Sequence, residues 1–238
     1  GAAALCTVSE PIAEALSRLH AKSAFTVTNG FEPGPVPESP PQGPFRLLYT
    51  GMIYPGRREP GIIFEAVRLL RLEGRAAPRN LRLVFYGPNH QLTRRLAASH
   101  DVSDFVDTPG EISREEAQVE QRRAHALLQL EWNDPRTAGV FPGKFFEYLG
   151  AGRPILAVGP RDSVVENVLR ETGAGNIAHD APAAAELLAR ALALWKEGRS
   201  AAAPRNEENI ARYTRRAQAS KLAERLEGIL QVREGRKE

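Results

Sequence analysis

The chain has 238 residues, 42% hydrophobic and 26% charged, with a formal net charge of +3. That length supports one substantial core, not two full ones plus a linker. The small charge and scattered arginines do not form the basic stripe of a nucleic-acid binder. The single cysteine, Cys6, excludes an internal disulfide and a cysteine zinc cluster, and no apolar run reaches the ~18 residues of a spanning helix.

Residues 8–19 predict a short helix, with Ser9 as cap, Pro11 in the first turn, and Ile12, Leu16 and Leu19 on one face. A strand is expected at 24–28, then the turn signal Asn29-Gly30. Six prolines between Pro33 and Pro44 forbid a regular element there and imply an extended linker or loop. Beyond it, strands are expected at 45–50, 81–87, 102–106, 125–130 and 154–159, with a short one at 174–178. Helices are expected from Pro60 onward and at 89–99, 113–123, 141–152, 162–173, 181–197 and about 204–230. Near-continuous apolar strands alternating with helices describe a doubly wound, mostly parallel, Rossmann-like sheet with helices on both faces. The expected division is a crossover segment and proline linker at 1–44, a ligand-binding α/β domain at 45–200, and a terminal helix with a charged tail at 201–238. The opening GAAALCTVSE has no signal-peptide pattern and no initiator methionine, so it is expected to be a cut inside a longer chain. Cysteine usage points to a reducing, cytoplasmic setting, with membrane association left to another part of the protein.

Two segments carry candidate chemistry. The first, YTGMIYPGRREPG at 49–61, joins a strand end to a helix start, where open α/β sheets bind ligands. Gly51 permits close backbone approach, and Arg57 and Arg58 offer guanidinium geometry suited to a diphosphate. The loop matches neither the dinucleotide glycine fingerprint nor a P-loop, and an ordinary surface loop would read the same. The second, GVFPGKFFEYLGAGRPILAVG at 139–159, places Lys144 and Glu147 three apart on a helix face. Lys144 can stand over a phosphate, and Glu147 can accept two hydroxyls of a ribose. A surface ion pair is the alternative. Gly87, ending a strand on the same edge, is expected to line the cleft. Asp107-Thr108 and Trp132 are further cleft candidates, and no histidine spacing suits a metal.

KFFEYLGAGRPILAVGP resembles the carboxyl-terminal domain of retaining family-four glycosyltransferases of the two-domain GT-B fold. SEPIAEAL, TVTNGF, RLLYTGMIYPGRREP, LRLVFYGP and ETGAG follow in the order of that resemblance, over about residues 7–180. It implies a nucleoside-diphosphate sugar as donor substrate with no other cofactor, an unidentified acceptor, a separate amino-terminal domain, and no nucleic acid. Arg57, Arg58 and Lys144 would stabilise the leaving diphosphate, while Gly51, Gly87, Lys144 and Glu147 would hold the nucleotide. The family's first acid, beside the donor sugar, should stand at 139, where this chain has Gly139. Glu131 and Asp134 lie nearby at the wrong spacing. A related nucleotide-sugar epimerase and a non-catalytic nucleotide-binding domain are the alternatives.

Overall fold

A computed structural model describes residues 2–35, 42–132, 134–199 and 204–234, without the side chains of Pro135 and of residues 232–234. Most of the proline-rich linker, at 36–41, and the charged tail at 235–238 lie outside the described residues.

The body is a six-stranded parallel sheet. Its strands are β3 (Phe45–Thr50), β4 (Leu81–Tyr86), β5 (Val106–Gly110), β6 (Ala126–Leu130), β7 (Ile155–Val158) and β8 (Gly175–Ala178). They lie in the order β5-β4-β3-β6-β7-β8. The chain winds outward from β3 to one edge, returns to β6 and winds to the other edge. The direction therefore reverses between β3 and β6, which opens a crevice at the carboxyl ends of these two strands. All five residues of β6 and all four of β7 are buried, as strands covered on both faces require.

Three helices cover one face: α2 (Gly61–Leu72), α3 (His90–Ser99) and α7 (Ala181–Lys196). From α2, Ile63, Phe64, Val67 and Leu70 are fully buried at helical spacing. Each contributes about 1.5–3 kcal/mol by leaving water. The other face carries α4 (Arg114–Arg123), α5 (Phe145–Gly150), α6 (Val164–Thr172) and α8 (Glu207–Ala211). Ser113 and Glu116 close a reciprocal capping box on α4. Ser163 caps α6, and Gly173, at φ 62°, ends it. Outside the body, β1 (Leu5–Thr7) and β2 (Ala24–Thr26) form a two-stranded parallel sheet joined by α1 (Glu10–His20).

Four local expectations need correction. The third strand of the body lies at 106–110, not 102–106, because Val102 is buried closing α3, its N–H donating to Ala97 O at 3.0 Å, and a 3₁₀ turn follows at Ser103–Phe105. Asp107 therefore sits inside β5, where it pairs with Arg82. The terminal helix is two, α8 and α9 (Arg215–Glu234), because the chain breaks at Tyr213-Thr214 to pair with Phe31 and to place the Tyr213 hydroxyl 3.2 Å from Glu171. The helix expected at 141–152 is regular only from Phe145, with Lys144 as its N-cap residue. Finally, Ser9 stands at the N-cap of α1 but makes no cap bond; its hydroxyl donates to Gly139 O at 2.5 Å.

Candidate functional site

The crevice is built around β3, whose end is held by a polar network. Gly51 N–H donates to Tyr86 O at 2.8 Å, continuing the ladder one residue past the strand. Thr50 N–H donates to the buried Tyr148 hydroxyl at 2.9 Å, and Gln121 Nε2 donates to Thr50 Oγ1 at 3.0 Å. Burial pushes the Tyr148 hydroxyl up to about 12, so it stays protonated.

Lys144 completes this side. Its ammonium donates to Thr50 O and lies 3.7 Å from the centroid of the Tyr49 ring, in cation–π geometry. Gly51 makes the space: at φ 125°, a Cβ there would collide with Lys144 Nζ. Gly87, at φ 152°, lets β4 turn away over Gly51, since a Cβ there would fall on Gly51 O. Burial, helped by the nearby positive charge of Arg58, pushes the Lys144 ammonium down to about 7. Its hydrogen-bond and ring partners are an uncharged carbonyl and an aromatic face, and Glu147, which acts on it electrostatically, pairs with Arg114, so an anion arriving here would favour its charged form.

Arg57 and Arg58 take different places. Arg57 is exposed, its guanidinium 4.4 Å from the Trp132 ring centroid. Arg58 is half-buried, its Nε without a hydrogen-bond partner, and its charge acts on Lys144, Tyr49 and Glu131 alike. Sequence alone left the two equivalent; packing of Arg57 on Trp132 separates them.

Glu147 faces another space. Its carboxylate pairs with Arg114 at 2.9 Å, at the mouth of a 290 Å³ cavity between α4, α5 and residues 30–33. Lys144, Gly51 and Arg58 do not line that cavity. The spacing of three residues therefore brings Lys144 and Glu147 close without pointing them at one target.

Sequence spacing passed over Thr50, Tyr148 and Gln121, whose roles depend on contacts between distant elements. It also set Glu131 aside. This residue follows β6 at the crevice edge, 6% exposed, and burial raises its carboxyl to about 8. Asp134 instead pairs with Arg136 on the exposed side of its loop. Gly139 is crowded: a Cβ there would stand 3.0 Å from Pro11 Cβ of α1. Among the described residues, no cluster of His, Cys, Asp or Glu is placed to hold a metal ion, and no helix is long and apolar enough to cross a membrane.

No protein-family model and no curated protein sequence matches the chain. Solved structures do. HepE from Anabaena, in complex with UDP and glucose, superposes with a TM-score of 0.70 at 11% identity, over 95% of this chain and 63% of that one. The sucrose-phosphate synthase of Thermosynechococcus elongatus gives 0.66 at 18% identity, over 98% and 59%. The pneumococcal O-GlcNAc transferase GtfA, in complex with UDP and GlcNAc, gives 0.61 at 15%, over 96% and 45%.

The fold is a Rossmann-like domain of the GT-B type. The doubly wound sheet expected from the sequence is present, and its switch in strand order falls between β3 and β6, beside Gly51 and Lys144. The chain spans roughly half the length of these three proteins, between 45% and 63%.

Proposed function

We propose that this chain is the donor-binding domain of a glycosyltransferase, holding the diphosphate of a nucleotide-activated sugar at the crevice between β3 and β6. One observation carries it: the Lys144 ammonium is lodged over Gly51 at the switch point of the sheet with Arg58 alongside, and Glu147, the carboxylate within its electrostatic reach, is paired with Arg114 instead. As the bond between sugar and diphosphate breaks, negative charge grows on the leaving group. Lys144 and Arg58 stabilise it in a partly desolvated setting, where such contacts are strongest. Proximity of the anion returns Lys144 to its charged form. Arg58, rather than Arg57, is the guanidinium of this site. Glu147 takes the ribose, exchanging its ion pair with Arg114 for two hydroxyls.

The resemblance to family-four enzymes adds retention at the anomeric carbon, and an acceptor site built largely by another domain. In this division, residues 1–44 are the crossover and linker, residues 45–200 the donor domain, and residues 201–238 the terminal segment, carrying α8 and α9, that packs towards the other domain. A non-catalytic nucleotide-binding role is the second reading, favoured by the Pro11 contact that crowds position 139.

The test is a thermal-stability panel of nucleoside diphosphates and their sugars, since ligand binding to the folded state raises apparent stability. At least one base should raise the melting temperature by several degrees. Glu147→Ala should weaken that nucleotide about tenfold by calorimetry while leaving the ligand-free fold intact, because an exposed ion pair contributes only about 0–1 kcal/mol. No response across the panel removes the assignment.

A further inference from the structure

Glu131 is a buried acid that the rest of the fold does not use. It is the residue after β6, on the carboxyl edge that borders the crevice, and is 6% exposed. The Ser163 hydroxyl hydrogen-bonds to its carboxyl group, yet Oε1 has no partner. Arg58 lies within electrostatic reach without pairing with it, and Arg58 Nε is itself buried and unpartnered. Buried polar atoms in folded proteins are almost always hydrogen-bonded, so an unpartnered oxygen on a buried acid at the carboxyl edge of the sheet needs an explanation, and a ligand hydroxyl reached by a small side-chain shift supplies one.

The space for this acid is made by Gly159 at the end of β7. A Cβ there would stand 2.7 Å from Glu131 Cβ and 3.1 Å from Oε2. Position 139 is crowded, because Pro11 stands against it and Ser9 holds its carbonyl. Lys144 marks the β3 side of the crevice and Glu131 the β6 side, with Arg58 acting on both. A diphosphate held by Lys144 and Arg58 would carry its sugar towards Glu131. A carboxyl group there can accept from, or donate to, a sugar hydroxyl. We propose that Glu131 contacts a hydroxyl of the donor sugar, in place of the acid that position 139 lacks. This rests on the donor-binding reading above.

The test measures binding of UDP, UDP-glucose, GDP and GDP-mannose to the 238-residue chain. The wild type should prefer a sugar conjugate over its bare diphosphate. In Glu131→Met that preference should fall tenfold or more, with affinity for the bare diphosphate within about twofold, because a site built to hydrogen-bond a hydroxyl loses most when its partner is gone. Glu131→Gln, which keeps a donor and an acceptor, should retain most of the preference. Should the methionine variant not fold, Glu131→Ala is read by the same criterion. A preference that survives loss of the carboxyl group overturns the proposal and leaves the donor-binding reading standing. Equal affinity of the wild type for conjugate and diphosphate also overturns it. Binding of none of the four removes the donor-binding reading for these bases and this proposal with it.

Discussion

The two sides of the crevice are finished differently. On the β3 side, Thr50, Gln121, Tyr148 and Lys144 give one another hydrogen bonds, and the glycines at 51 and 87 are shaped to admit them. On the β6 side, Glu131 keeps a buried carboxyl oxygen with no partner. A satisfied network makes a rigid wall, and an unsatisfied one holds open a need that a ligand can meet. The lesson is that preorganisation here is unequal: the protein completes the wall that positions Lys144 and leaves the facing wall incomplete.

The largest expected effect breaks the finished side. Gly87→Ala forces an L side chain to φ 152° and drives its Cβ onto Gly51 O. Backbone strain of this kind costs about 1–3 kcal/mol before the collision is counted, so a fall of about 3 kcal/mol or more is expected in urea unfolding. A fall below about 1 kcal/mol would mean that the β3 wall is looser than its contacts imply.

A smaller effect reads the charge of that wall. Lys144→Met should weaken UDP binding by about 10–100-fold, the range of a lost charged hydrogen bond. Because Lys144 is held at about 7 in the free protein, and a bound anion raises it, the wild type should bind UDP more weakly as pH rises above 7. The slope should approach tenfold per pH unit, and Lys144→Met should flatten it. An unchanged slope in the variant would assign the proton to another group.

The smallest sharpens the unfinished side. The Glu131 carboxyl is raised to about 8 from 4.5, so between those values the folded state keeps a proton that the unfolded state has released. Its contribution to stability is complete below about 4.5 and is lost as pH rises through about 8. Glu131→Gln, neutral throughout, should gain steadily on the wild type in melting temperature as pH rises from 5 to 8. A constant difference would show that the carboxyl is not buried in neutral form.

Much of the fold was legible because its strands are short apolar runs ended by glycine or a capped helix, as at FRLLYTG and LRLVFYG. β5 was misplaced because VSDFV has the letters of a strand, while Asp101 at φ 56° and the turn at Ser103 decide its geometry. β1 escaped notice because three residues carry no period. In the site, Gly51, Lys144 and Glu147 stand at strand and helix ends that local sequence can locate. Arg58 could not be told from Arg57, since Trp132 decides between them from 75 residues away. Glu131 was set aside on linear spacing, which cannot report that Gly159 vacates room for it across the sheet.

The contact between Gly139 and α1 limits how this protein can be rebuilt. A glutamate installed at 139 would set its Cβ 3.0 Å from Pro11 Cβ, so α1 must give slightly at Pro11 to admit it. The two positions are therefore epistatic, and the effect of changing both differs from the sum of the two changes. An engineer grafting the familiar pair of acids onto this scaffold should therefore vary position 11, 128 residues away in the chain, together with position 139, or work from the end of β6.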